Sequence, residues 1–220
     1  MKVKLVGYTQ PSEEFKQHFS NVKELIAFCS RVSNPSNQYN NETADKLINY
    51  LMKHKHWSPL EMASATLEVE TTRDIARQFL RHRSFSFQEF SQRYADPTKD
   101  LDFVIREARL QDNKNRQNSI SLEDSVENRE LQQLWEEQQQ AVIRAAKYAY
   151  TWAVTNGIAK EQARAVLPEG NIASRLYVNG TIRSWIHFIE VRTDPSTQKE
   201  HRELAFEIAK VISEIFPLTK

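Results

Sequence analysis

The stretch Ala63-Ser64-Ala65-Thr66-Leu67-Glu68-Val69-Glu70-Thr71-Thr72-Arg73-Asp74-Ile75-Ala76-Arg77-Gln78-Phe79-Leu80-Arg81 changes its period halfway along. Ala63, Ala65, Leu67 and Val69 alternate with Ser64, Thr66, Glu68 and Glu70. A period of two is the mark of a half-buried strand. Thr71 or Thr72 then stands where a helix cap belongs, ahead of a helix through about Arg81. A strand that passes directly into a helix is the first sign of an α+β chain.

The flanks agree. Residues 1–9 set Lys2 and Lys4 against Val3 and Leu5 and predict another strand. Val22, Leu25, Ile26 and Phe28 predict a helix over 21–31, and Leu47, Ile48, Leu51 and Met52 one over 43–54. The Asn/Ser/Pro-rich segment 33–41 between them reads as a loop. His56-Trp57-Ser58-Pro59 ends the second helix, because proline disfavours helical backbone in the residue before it. Downstream, the polar segment 111–121 reads as an exposed loop. Ser121-x-x-Asp124 resembles a capping box ahead of a long helix carrying Leu122, Val126, Leu134, Val142, Ala145, Ala149 and Trp152. Further helices are expected over 161–166, 181–191 and 198–215. With no internal repeat and no flexible linker, the fold expected is α+β, helix-rich with a small mixed or antiparallel sheet, forming a single domain over 1–220.

Composition removes several functions. The chain has 220 residues, net charge +1, one cysteine and four glycines. One cysteine excludes an intrachain disulfide and a cysteine-based zinc site, and no metal is expected. Gly7, Gly157, Gly170 and Gly180 are too far apart for either standard glycine-rich phosphate loop. Cys29 falls on the apolar side of a predicted helix and reads as a small core residue. No stretch is long and apolar enough to span a membrane, and the N-terminus is too mixed for a signal peptide. A cytoplasmic protein is expected.

Residues 73–93 concentrate charge: Arg73, Arg77, Arg81, Arg83 and Arg93 against Asp74 and Glu89. On one helix Arg73, Arg77 and Arg81 would share a face, where like charges repel. Asp74 could relieve Arg77, but Arg81 has no nearby acid. Either distant acids pair with these arginines, or the face awaits an anion, for which the guanidinium fork and Ser84, Ser86 and Ser91 are suited. Phe85, Phe87, Phe90 and Tyr94 read as core more than as base-stacking platforms. Interleaved with arginines, they leave open an alternative: an RNA- or single-stranded-DNA-binding module. The near-zero net charge weighs against a polyanion track.

Arg81-His82-Arg83-Ser84-Phe85-Ser86-Phe87-Gln88-Glu89-Phe90-Ser91-Gln92-Arg93 fits R-H-R-x-x-S-x-x-x-x-S-x-R and resembles the signature of flavin-dependent thymidylate synthases. His56-x-Ser58-Pro59-x-Glu61 is similar to that family's H-x-[ST]-P-x-E. Arg77-Gln78 resembles its R-Q before the signature, and Ala163-Arg164-Ala165-Val166-Leu167-Pro168 its A-R-x-x-L-P. Arg183-x-Trp185-x-His187-Phe188 and Arg192 follow in the family's order, so the likeness runs from about Ser33 to about Arg202. It departs at Met62, where many members have a second histidine, and at Gln88 and Thr181, where asparagine is commoner. It departs also at His201, where an apolar residue is usual, and Gln198 is a variable match.

The resemblance implies methylation of dUMP to dTMP, with methylenetetrahydrofolate as carbon donor and NADPH as reductant through bound FAD. It implies that family's α+β fold and a homotetramer whose active sites collect residues from several subunits. Neither a membrane nor a nucleic-acid polymer is implied as a partner. Gln78, Arg81, Glu89, Ser91, Gln92, Arg93, Arg164 and Arg192 match its dUMP-contacting positions. Ser33, Ser58, Glu61, His82, Arg83, Arg183 and His187 match its FAD-contacting positions. Arg192, beside the pyrimidine, and His56, at the mouth of the flavin site, carry the catalytic expectation. On its own, His56 also reads as a histidine at a helix C-terminus. Ser91 has no base at a recognisable spacing, so a serine nucleophile is not expected.

Overall fold

A computed structural model describes residues 1–217. The elements in order are β1 (Lys2–Tyr8), α1 (Val22–Ser30), α2 (Ala44–Lys53), β2 (Ser64–Thr72), α3 (Arg73–Phe79), β3 (Ser86–Glu89) and α4 (Pro97–Asp100). There follow β4 (Arg109–Gln111), β5 (Ser119–Ser121), α5 (Val126–Thr155), α6 (Lys160–Ala163), β6 (Ala173–Thr181), α7 (Ile182–Arg192) and α8 (Lys199–Ile215). The main sheet has the order β1-β2-β6-β3 with every neighbour antiparallel. That settles the sheet type, and the α+β class stands.

Burial along β2 follows the alternation in its sequence. Ala65, Leu67 and Val69 point into the core, where they meet Leu176 and Val178 of β6. Helices α3, α7 and α8 cover this face with Ile75, Phe79, Trp185, Phe188, Leu204 and Ile208. Trp185 satisfies its indole N–H on the carbonyl of Ala65, 3.1 Å away. Along the other face run cross-strand polar pairs: Glu70 with Arg175, Glu68 with Tyr177, Thr66 with Asn179. A second apolar cluster joins α1 and α2 to α7 through Ile26, Ile48, Leu51 and Ile186.

Several expectations change. Segment 111–121 is not wholly a loop, since its ends form the β4–β5 hairpin. The long helix starts at Val126 rather than after Ser121; Ser125 is its cap and accepts from the backbone of Asn128 at 3.2 Å. Leu122 therefore lies outside it. Strands β3 and β6 are additions. The inward row of β6 is Ser174, Leu176, Val178 and Gly180, and serine and glycine at its ends hide the apolar alternation. Helix α3 ends at Phe79, leaving Arg81 in the following turn and off the Arg73–Arg77 face. Thr72 precedes α3, but its hydroxyl donates to the Asp74 carboxylate rather than accepting from the helix. Tyr94 is 77% exposed and not core.

Candidate functional site: an arginine cavity and a buried histidine network

Helix α3 divides the candidate site into two sides. On one side Arg73 and Arg77, a turn apart, face Glu89 of β3 and Glu169. Arg73 is buried and lies 3.4 Å from Glu89 and 3.2 Å from Glu169. Arg77, more exposed, lies 3.7 and 3.8 Å from the same acids. Distant acids thus relieve these arginines, while Asp74 turns away to Arg106 at 2.6 Å instead of to Arg77. Glu89 also accepts from the buried Ser174 hydroxyl at 2.8 Å.

Arg73, Arg77, Gln92, Arg164 and Glu169 line a cavity of about 400 Å³. Gln92 is 4% exposed and its side-chain nitrogen has no hydrogen-bond partner. An orphaned buried donor of this kind costs about 1–3 kcal/mol unless something fills it. Among the described residues Arg164 makes only a backbone contact, from its Nε to the carbonyl of Glu161 at 3.3 Å. Arg93, over the ring of Tyr94, reaches the Glu161 carboxylate at 3.4 Å. Ser91 accepts from the backbone N–H of Arg93 at 3.4 Å and has no imidazole or carboxylate partner to activate it.

Another cavity of about 400 Å³ lies at the ends of β1 and β2. Charge decides between the two. That cavity's lining sets Glu70, Asp102, Glu107, Glu200 and Glu203 against Lys2, Arg106 and Lys199, an acidic balance. The α3 cavity has three arginines and one glutamate in its lining, and with Glu89 behind Arg73 and Arg77 it stays net positive, which suits an anion.

On the other side of α3, Gln78 faces α8. Its Nε2 donates to Gln198 Oε1 at 2.8 Å and its Oε1 lies 3.1 Å from His201 Nδ1. His201 is fully buried between Phe79 and Phe188. Burial, with Arg192 and His82 nearby, pushes its pKa down to about 3. His82 is pushed down to about 4 by burial, then by Arg192 and His187. Both rings are neutral near pH 7. His82 Nε2 accepts from Arg192 Nε at 2.8 Å, leaving the other nitrogens of that guanidinium to a ligand. Arg81 is close enough to Arg192 to lower the latter's pKa after burial has done so.

The residues expected at FAD are spread over neighbouring surfaces. Arg183 pairs with Glu61 across α7 and the turn of Ser58–Glu61. His187, one helical turn after Arg183, is the electrostatic neighbour of His82. Arg83 is exposed and forms no ion pair among the described residues. Thr181 caps α7, its Oγ1 accepting from the backbone of Ser184. Ser33 lies apart, on a surface cavity shared with Arg31 and Tyr50. His56 is exposed beyond the end of α2, its ring 6.0 Å from Tyr50. Within one chain these positions do not close around a common cavity. Sequence reasoning picked out Arg73 and Arg77 as a face for an anion or for distant acids, but missed Glu169 altogether and wrongly kept Arg81 on that face. The only signal for that face was the i,i+4 spacing of the arginines.

Cys29 is half-buried and its pKa is raised by burial, which keeps it a thiol. Burial thus disfavours the reactive thiolate, and Cys29 sits at the margin of the core rather than in it as expected. Among the described residues no group of three or more His, Cys, Asp or Glu is placed to hold a metal ion. No helix of the described residues is long and apolar enough to cross a membrane.

Fold and site together define an α+β protein with an arginine-lined cavity and no glycine-rich phosphate loop. The sequence model of a family described as thymidylate synthase complementing protein matches residues 14–218. A protein of Paramecium bursaria Chlorella virus 1, named a probable flavin-dependent thymidylate synthase, is 46% identical over 99% of this chain and 96% of its own. A flavin-dependent thymidylate synthase of Synechocystis is 44% identical with the same coverage. The UMP/dUMP methylase PolB of Streptomyces cacaoi, solved with 5-Br dUMP, shares the fold at a TM-score of 0.75 and 24% identity, over 97% of this chain and 90% of its own. The chain belongs to the flavin-dependent thymidylate synthase family. The reading as an RNA- or single-stranded-DNA-binding module finds no support in these comparisons.

Proposed function

We propose that the chain, as a single domain over 1–220, methylates dUMP to dTMP with FAD, methylenetetrahydrofolate and NADPH. The observation that carries this is the orphaned amide of Gln92 in a cavity walled by Arg73, Arg77 and Arg164. A nucleotide phosphate there supplies the acceptor that Gln92 lacks and the negative charge that Arg164 lacks. Ser91, Arg93 and Glu89 border the same region; Arg81 and Gln78 stand on the side of Arg192. There a fixed guanidinium, oriented by neutral His82, stabilises negative charge developing on the pyrimidine.

The exposed and unpaired Arg83, with Arg183 and His187, fits a dinucleotide pyrophosphate, and Ser33, Ser58, Glu61 and His56 complete the expected flavin contacts. When bound, FAD supplies the redox chemistry that no side chain here supplies. The protein's own part is positioning and electrostatics, without a protein nucleophile. That Ser33 and His56 lie away from the arginine cavity supports a homotetramer in which different subunits complete one site. An exposed apolar stripe on α5, with Leu134, Val142 and Trp152 each more than half exposed, offers such an assembly a surface.

Purified protein reconstituted with FAD is expected to be yellow, and its flavin bands to bleach with NADPH and dUMP. Arg164→Ala is expected to weaken dUMP binding by about 10- to 100-fold, the worth of a charged hydrogen bond, with FAD retained. Colourless protein that cannot take up FAD would sink the reading, and so would unchanged dUMP binding in the variant.

A further inference from the structure

His201 is buried, titratable and unused by any step above, and it ends a hydrogen-bond chain whose direction is set at its far end. The Glu200 carboxylate can only accept. It takes one bond from Arg109 and another from Gln198 Nε2 at 2.9 Å. Gln198 must therefore turn its Oε1 the opposite way, to accept from Gln78 Nε2 at 2.8 Å. Gln78 is then obliged to turn its own Oε1 toward His201 Nδ1, 3.1 Å away. Two acceptors cannot share that bond, so Nδ1 carries the proton. Nε2 is left proton-free, buried and without a partner.

We propose that His201 is a positioning residue for dUMP: at the end of this one-way chain it fixes the Gln78 amide, so that one defined N–H and one lone pair remain for the substrate. The inference rests on the function proposed above, in which Gln78 contacts dUMP. Phenylalanine at 201 would fill the same apolar slot between Phe79 and Phe188 but leave Gln78 Oε1 without its donor. Reversal of the Gln78 amide would set its oxygen against Gln198 Oε1. The amide is then tethered at its Nε2 alone and swings about that one bond, and a substrate contact made by a wandering group is weaker.

The test uses the FAD-loaded protein and two variants, His201→Phe and His201→Asn. Nitrogen NMR of wild-type His201 should show the Nδ1–H tautomer, a readout that needs neither activity nor a variant. In His201→Phe the Kd and KM for dUMP should rise about tenfold, as for one lost hydrogen bond, while kcat changes less than about threefold and FAD affinity is kept. His201→Asn, whose amide N–H can take the place of Nδ1–H, should recover most of the binding. An Nε2–H tautomer overturns the proposal. So does wild-type dUMP binding in His201→Phe, or equal weakness of the two variants. A wild-type protein that fails to bind dUMP at all overturns the functional reading first and the proposal with it.

Discussion

At the scale of the residue, two neutral histidines beside Arg192 tie the site to the stability of the fold. The pKa of His201 falls from 6.5 to about 3 and that of His82 to about 4. In both cases the unfolded chain binds the proton first as pH falls through 6.5. Stability is therefore complete above that value and is lost on acidification toward pH 4. For the fully buried His201 alone, the loss from pH 7 to pH 5 is about 2 kcal/mol. Half-buried His82, open to solvent screening, adds less. Urea midpoints measured across this range should drop, and the drop should shrink in His201→Phe. An equal pH slope in the variant would show that His201 protonates as readily in the folded chain as in the unfolded one.

At the scale of the element, β6 illustrates both what the sequence conceals and why. Its inward row includes Gly180, where an added Cβ would fall 2.3 Å from Cδ1 of Phe85. Phe85 itself packs at 4.5 Å on the ring of Trp185. Glycine is present because the ring of Phe85, from the signature, presses one edge onto that position of the strand. Gly180→Ala should therefore destabilise by about 1–3 kcal/mol through overpacking. In a Phe85→Ala background the extra cost should disappear, a coupling that chemical denaturation of the four-member cycle would measure. Persistence of the full cost in that background would place the strain elsewhere.

The same strand marks the limit of legibility. Strand β2 was readable because Ala65, Leu67 and Val69 form an apolar row against charged neighbours, and α1, α2, α7 and α8 were readable from their helical spacing. Strand β6 was not, because Ser174 serves Glu89 and Gly180 serves Phe85, demands made from distant sequence. For the site, the fixed positions between Arg81 and Arg93 were plain. The pairing of Arg73 with Glu89 and Glu169 was not, because those acids arrive only through folding.

At the scale of the whole molecule, α5 is half in and half out. Residues 126–138 contain no buried side chain, and the inward row begins at Gln139 and continues through Ile143, Ala146, Tyr150 and Ala153. Beside it Leu134, Val142 and Trp152 remain exposed at helical spacing. Val142→Glu with Trp152→Glu should leave the monomer fold intact, since both positions face solvent, and should lower the mass seen in sedimentation below that of the proposed tetramer. An unchanged mass would remove this stripe from the assembly surface.

The carboxylates beside Arg73 and Arg77 also govern what the protein ignores. In a cell crowded with nucleic acids and free phosphate, an arginine cluster without internal partners attracts any anion. Under the proposed function, Glu89 and Glu169, paired with Arg73 and Arg77, hold the place of the anion until a ligand arrives. On that reading a ligand must outcompete an internal rival before it is admitted, which disfavours weak or ill-fitting phosphates. The arginines that make the cavity attractive are thereby made selective by acids that oppose the same charge.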